Sequence, residues 1–321
     1  MKISVVIPLY NLEEYICKCI ESTFDQGLPP EQYEVLVVDD GSTDGSYAAA
    51  CRAAGGRANV HVFTKPNEGL GLARNYGTDR ASGRYVVYLD ADDYLEPGKL
   101  GRIAEVMERE ALDMLCIRLQ AVDEAGNPLP YWSDRIYPYY DTRVRSGKEL
   151  LGQPNLMPMV PVYVYDRRFL NDNSLRMKPI WHEDEEFTPR ALCLARRIGY
   201  LPDRFYNYLQ RANSFMGDYK PEKVFNTVPA MQSLAEFAEE REKEGDAEGA
   251  QLIRQRIGLT VFLLCKRSVR RRYGNTRELI RRLREAGVFP LAFPRRKFRY
   301  MLLNRSASLF ILYYRLHRRQ R

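Results

Sequence analysis

Carboxylates crowd at two places in this sequence, each directly after a run of apolar residues. The first is Val38-Asp39-Asp40-Gly41-Ser42-Thr43-Asp44. A carboxylate at a strand's end can accept a hydrogen bond from the N–H of a nucleotide base, and two acids before a glycine turn exceed what helix capping requires. Ser42, Thr43 and Asp44 are assigned to capping the following helix, and Asp40 to ligand binding. The second place is Tyr88-Leu89-Asp90-Ala91-Asp92-Asp93-Tyr94. Three acids this close repel and raise one another's pKa unless a cation or a donor sits among them. A divalent cation, Mg²⁺ or Mn²⁺, suits such a group, because it takes one or two protein carboxylates and completes its shell with water and phosphate oxygens. The plain alternative is a solvated acidic turn ahead of a helix after Pro97.

Between the two lies Asn67-Glu68-Gly69-Leu70-Gly71-Leu72-Ala73-Arg74-Asn75-Tyr76-Gly77, a glycine-bearing turn opening a helix. It reads GxGxxR where a dinucleotide fingerprint requires GxGxxG, and it follows the third strand-like run instead of the first, which argues against nicotinamide binding. Arg74 is placed either to reach a diphosphate or to pair with an acid of the site.

Elements that could hold these residues are legible in the hydrophobic pattern. Strand-like Ile3 to Leu9, Glu34 to Val38, Val60 to Thr64 and Tyr85 to Leu89 alternate with helical patterns over Leu12 to Gln26, Thr43 to Ala54, Leu70 to Ala81 and from after Pro97 to Glu110. This rhythm predicts an α/β fold with a doubly wound, mostly parallel sheet, and near-continuous apolar runs such as Val86-Val87-Tyr88-Leu89 suit strands covered on both faces. Ligands of such sheets bind at the carboxyl ends of the strands, where both acidic clusters fall. Met114 to Val122 reads as a further strand, followed by a Gly126-Asn127-Pro128 turn and a tyrosine-rich stretch through Tyr140. A helix over Glu183 to Arg196, a strand at Ile198 to Leu201 and an aromatic run, Phe205 to Leu209, complete a sheet domain of residues 1–215. Residues 216–321 read as a helical, basic C-terminal region.

In order, Val5-Val6-Ile7-Pro8-Leu9-Tyr10-Asn11, Val37 to Asp44, Asn67 to Gly77, Leu89-Asp90-Ala91-Asp92-Asp93 and Glu183-Asp184 resemble the inverting nucleotide-sugar glycosyltransferases of family two, which have the glycosyltransferase A-type, Rossmann-like fold. The resemblance covers about residues 1–215. It implies that Tyr10 and Asp40 contact the base, uracil being favoured, with Pro8 framing the pocket. It implies that Asp90, Ala91 and Asp92 form the Asp-x-Asp element, Asp92 as direct metal ligand and Asp90 toward the ribose, with Arg74 in the same donor site. Asp184 matches the catalytic base, with Glu183 in reserve, against the plain reading of an exposed first helical turn. Gln210-Arg211 matches an arginine-bearing segment that contacts phosphate. A nucleotide-sugar donor, a saccharide or lipid-linked saccharide acceptor, and Mn²⁺ or Mg²⁺ are the implied partners.

Charge divides the chain of 321 residues and net charge +7 unequally: from Lys220 onward there are 24 basic and 10 acidic side chains, against 25 and 32 before it. Arg295 to Arg321 holds nine basic residues and no acid, interleaved with Met301-Leu302-Leu303 and Leu309 to Tyr314. That pattern fits either a helix lying on an anionic membrane surface or a docking helix whose apolar stripe packs on the sheet domain. Nucleic-acid binding is disfavoured, since no such motif accompanies the tail and the sheet domain is acidic. A nucleotidyltransferase is the other enzyme class with acids and a nucleotide on an α/β sheet. Six cysteines without metal-ligand spacing read as buried free thiols, and no apolar run approaches the ~18 residues of a membrane span. The expectation is a cytoplasmic protein that is peripheral on the inner membrane face.

Overall fold

Strand β1 (Ile3–Leu9) is buried along its whole length, as is β2 (Tyr33–Asp39), because each is flanked in the sheet and covered on both faces. In the computed structural model, which describes residues 1–130, 142–153, 156–211, 221–271, 275–294 and 297–317, these strands begin an eight-stranded sheet. The other strands are β3 (Val60–Thr64), β4 (Tyr85–Tyr88), β5 (Tyr94–Leu95), β6 (Met114–Val122), β7 (Tyr163–Asp166) and β8 (Ile198–Leu209). The order is β3-β2-β1-β4-β7-β6-β8-β5. Pairings β1·β2, β2·β3, β1·β4 and β6·β8 are parallel. The sheet is nonetheless mixed, since β7 runs antiparallel to both neighbours and β5 antiparallel to β8.

Helices α1 (Glu13–Glu21), α2 (Ser46–Ala54), α3 (Leu70–Arg80) and α4 (Leu100–Arg109) follow β1, β2, β3 and β5. Helix α3 approaches the sheet closely: a Cβ at Gly77 would stand 2.4 Å from Val6 Cγ1. Only glycine lets backbone come this near without displacing a strand side chain.

Several sequence expectations are corrected. Helix α1 is shorter than Leu12 to Gln26, because Ser22 and Thr23 turn their hydroxyls back onto the Cys19 and Ile20 carbonyls. Ser42 and Thr43 do not cap α2; the Ser42 hydroxyl accepts from Asn11 N–H and the Thr43 N–H donates to Asn11 Oδ1, while Asp44 does accept from Ser46 N–H. Ile198 to Leu209 is one strand, whose register against β6 shifts beside Arg118. Cys51 is exposed and Cys17 half-buried, while Cys19, Cys116, Cys193 and Cys265 are buried. Strand β7 was not expected from sequence, because Tyr-Val-Tyr-Asp is short and follows Pro158 and Pro161. The tyrosine-rich stretch near Tyr140 lies largely outside the described residues.

The chain divides into two compact units. The sheet unit comprises Met1–Gly147, Met157–Pro179 and Ala195–Ser214. The helical unit comprises Lys148–Leu156, Ile180–Leu194 and Phe215–Arg321, so two segments before residue 215 group with the C-terminal helices. Within the helical unit, α7 (Glu183–Leu194) packs against α8 (Thr227–Lys243) and α9 (Ala247–Arg271). Buried Glu186 ties this packing by accepting from Arg190 Nη2 at 2.7 Å and Ser233 Oγ at 2.6 Å. Two short elements, α5 (Gly147–Leu151) and α6 (Arg167–Asp172), precede α7, and α10 (Thr276–Glu285), α11 (Phe298–Arg305) and α12 (Ala307–Leu316) close the chain.

Candidate active site

Strand β1 lies between β2 and β4, all three parallel, so the residues after them share one carboxyl edge of the sheet. That edge carries Tyr10, Asp40 and the Asp90 turn. Pro8, in register with Val38, is buried beneath it. Tyr10 stays 46% exposed, and Asn11 turns the chain with φ of 50°. Through Asn11 the turns after β1 and β2 are laced together.

Asp40 is buried, and it holds the turn that leads into α3, distant in sequence, instead of the helix that follows it. Its Oδ2 accepts from Gly69 N–H at 2.7 Å, and its Oδ1 from Glu68 N–H at 3.1 Å and from the Lys65 ammonium. Gly41 allows this approach: its φ is +72°, and a Cβ there would stand 2.9 Å from Asn67 N. Lys65, at the end of β3, also pairs with Glu68. The sequence reading missed Lys65, although a lysine at a strand's carboxyl end beside acids was a usable signal.

Of the two roles open for Arg74, the structure shows pairing with an acid. It is 2% exposed and sets Nη2 2.6 Å from Asp90 Oδ1. Asp92 pairs with Arg211, which follows β8 and also lies over the Tyr15 ring. Arg211 Nε is buried with no hydrogen-bond partner among the described residues. Asp93 faces inward: its Oδ2 accepts from the Tyr206 hydroxyl at 2.6 Å and its Oδ1 from Leu209 N–H at 2.8 Å. The same hydroxyl accepts from Asp90 N–H at 3.1 Å, so Tyr206 clamps both ends of the acidic turn to β8. Neither Asp93 nor Tyr206 stood out in sequence as a positioning residue, because the pairing spans 113 positions.

The expected mutual repulsion is present. Burial, then the charge of Asp90, holds the Asp92 carboxyl above its ordinary pKa although Arg211 opposes the shift. Asp93 is pushed well up by burial and by both neighbouring acids. Behind the turn, Cys19 donates to the Asp90 carbonyl at 3.5 Å, and burial raises its thiol pKa.

Asp184 lies in the first turn of α7, in the helical unit, where Glu183, Glu185 and Glu186 join it. Its Oδ1 accepts from Glu185 N–H at 2.8 Å. Immediately before, His182 takes φ of 62° and Trp181 is 54% exposed.

Such a sheet, with paired acids and arginines at its carboxyl edge, is an α/β architecture suited to a nucleotide ligand. Residues 4–171 match the model of the family described as Glycosyl transferase family 2, and the chain belongs to that family. It is 29% identical over 214 residues to the poly(ribitol-phosphate) beta-N-acetylglucosaminyltransferase TarS of Staphylococcus aureus, covering 65% of this chain and 35% of that protein. It is likewise 29% identical to the poly(ribitol-phosphate) beta-glucosyltransferase of Bacillus spizizenii, covering 65% of this chain and 32% of that one. The chain thus spans about a third of the length of these curated relatives. The putative glycosyltransferase EpsH of Bacillus subtilis is 25% identical, with 89% of this chain and 82% of EpsH covered. The crystal structure of S. aureus TarS 1-349 in complex with UDP-GlcNAc has a TM-score of 0.76 and 23% identity, covering 99% of this chain and 90% of that one, which shows a shared fold.

Proposed function

We propose that this glycosyltransferase moves a sugar from a UDP-sugar to a hydroxyl of a saccharide or lipid-linked saccharide, with inversion and with Mn²⁺ or Mg²⁺, in surface polysaccharide or glycolipid assembly. The observation that carries the reading is the Asp90-Ala91-Asp92 turn, bracketed by Arg74 and Arg211, at the carboxyl edge of parallel strands. The names of the relatives support sugar transfer, and the UDP-GlcNAc complex of TarS supports a UDP-sugar donor.

In this reading Tyr10 stacks on the base and Pro8 walls the pocket. Asp40 has about four acceptor positions and spends three on Lys65, Glu68 and Gly69, so one remains for a base N–H. Asp92, with Asp90, fits a divalent cation, because two carboxylates one residue apart at a strand end supply the one or two hard oxygen ligands such an ion takes from protein. The cation would supply charge to the diphosphate leaving group. Arg211 fits the same diphosphate, since its guanidinium already stands beside Asp92 at the carboxyl edge and can pair with a phosphate oxygen. Asp184 serves as the base that takes the acceptor hydroxyl proton, so attack from the face opposite the leaving group inverts the anomeric centre. The basic C-terminal region holds the enzyme at an anionic membrane surface where a lipid-linked acceptor resides, on the inner face of the cell membrane.

The test is UDP release from a panel of nucleotide sugars, with and without Mn²⁺. The expected result is Mn²⁺-stimulated hydrolysis of one UDP-sugar. Turnover of no nucleotide sugar by folded protein, with or without an acceptor saccharide, would defeat the proposal.

A further inference from the structure

From Gly249 to the end the sequence carries 20 basic residues and two acids, Glu278 and Glu285. Both acids are engaged by Arg281, and Glu278 also by Arg282. Helix α9 shows what the excess surrounds. Leu263, Lys266, Arg267 and Arg270 follow one another at helical spacing, and Leu263 is exposed while Phe262 and Cys265 beside it are buried. Lys266 and Arg270 are one helical turn apart on α9 and Arg299 lies over the Phe262 ring of the same helix; burial, with the charges of Arg270 and Arg299, lowers the Lys266 pKa.

Helices α11 and α12 are apolar on two faces. One face packs: Tyr300, Phe310 and Tyr314 meet Phe262 with ring centroids 4.6, 5.9 and 6.1 Å away. The other face leaves Phe298 67%, Met301 60% and Leu316 72% exposed, with Leu309 and Leu312 also uncovered. Phe298 lies against Tyr313, which joins the two helices on that side. The packed stripe thus lies on α9 of the helical unit, where the docking reading named the sheet domain, and a second apolar stripe of the same helices is exposed.

We infer that α9, α11 and α12 form an interfacial surface that inserts Phe298, Met301 and the exposed leucines among the headgroups of an anionic bilayer. This deepens the proposed membrane location by assigning residues to it. Charge selects the occupant. A second copy would bring the same excess of about 18 positive charges against itself and be repelled. Nucleic acid would meet the cations but leave the leucines, methionine and phenylalanine without an apolar phase. An anionic bilayer offers both, charge at the headgroups and hydrocarbon just beneath.

The experiment floats the full chain with vesicles of phosphatidylglycerol and phosphatidylcholine, and with phosphatidylcholine alone, across a series of NaCl concentrations. Binding to anionic vesicles only, weakening as salt rises, is expected. Lys266→Glu with Arg270→Glu should lower the partition coefficient at least about tenfold. Phe298→Ser with Met301→Ser, both side chains more than half exposed, should lower it severalfold while UDP-sugar hydrolysis stays unchanged. Equal partition to both vesicle types, retention of DNA but no vesicles, or a dimer that the Phe298 and Met301 changes dissociate would each overturn the inference. Lost vesicle binding with intact hydrolysis counts against this surface alone, whereas intact vesicle binding without turnover counts against the proposed reaction alone.

Discussion

Asp90, Asp92 and Asp93 are neighbours in sequence with three separate environments. Asp90 is held by Arg74, Asp92 by Arg211, and Asp93 by a buried hydroxyl and a backbone amide. Replacing Asp92 by alanine should therefore abolish Mn²⁺-stimulated turnover while leaving the fold intact; residual activity that still responds to Mn²⁺ would move the metal site elsewhere. Asp184→Asn should retain donor affinity by calorimetry and lower turnover by a factor of order 10²–10⁴, the scale for losing a general base. Lost affinity with retained turnover would contradict that role. Tyr206→Phe removes the hydroxyl shared by Asp90 N–H and Asp93 and leaves buried polar groups unpaired. It should cost about 1–3 kcal/mol in denaturant unfolding and raise the Mn²⁺ concentration needed for half-maximal hydrolysis. An unchanged metal requirement would make Tyr206 purely structural.

At the scale of elements, the entry to β1, β2 and β4 is stapled by Glu34. Its Oε1 accepts from Ser4 Oγ at 2.5 Å, Ser82 N–H at 2.7 Å, Ser82 Oγ at 2.8 Å and Gly83 N–H at 3.3 Å. Burial alone would raise the Glu34 pKa, but these donors outweigh it and the net shift is downward. A depressed carboxylate contributes stability that is present above the ordinary glutamate range and is lost as pH falls through the folded value. Glu34→Gln should thus destabilise the protein by about 1–3 kcal/mol at neutral pH and flatten the acid limb of its stability below roughly pH 4.5. An unaltered limb would show that the staple contributes nothing to pH dependence. The opposite, carboxyl edge of the same strands holds the candidate site, so rigidity at one end and exposed chemistry at the other are built from the same three strands.

At the scale of the whole molecule, the last two helices are part of a core. Leu303, Phe310 and Tyr314 are buried, and Phe262 sits among the rings of Tyr300, Phe310 and Tyr314. Burying each large apolar side chain contributes about 1.5–3 kcal/mol. Deleting Phe298 to Arg321 should consequently lower the calorimetric unfolding temperature of the helical unit as well as remove vesicle binding. A truncated protein that unfolds like the full chain would show that these helices do not stabilise it. Among the described residues no helix is long and apolar enough to cross a membrane.

What the sequence determined by itself was local. Runs such as Ile3 to Leu9 and Val60 to Thr64 had the right period, length and β-branched content to be strands whatever their neighbours. Acids placed just after such runs had to reach the carboxyl edge. The order of motifs was sufficient to point to the family, three of them lying along or just after the apolar runs that became β1, β2 and β4. Tertiary structure decided whatever depends on partners far apart in the chain. Strand β7 is four residues long and exists because β4 and β6 leave a place between them. Asp40 holds a turn 29 positions away, Tyr206 reaches back 113 positions to Asp93, and Arg211 crosses 119 to Asp92. None of these pairings has a period or a spacing, since each is set by which loops the closed sheet brings together. The two faces of the tail divided on the same ground: both are apolar in sequence, and only packing against Phe262 decided which is core and which meets solvent.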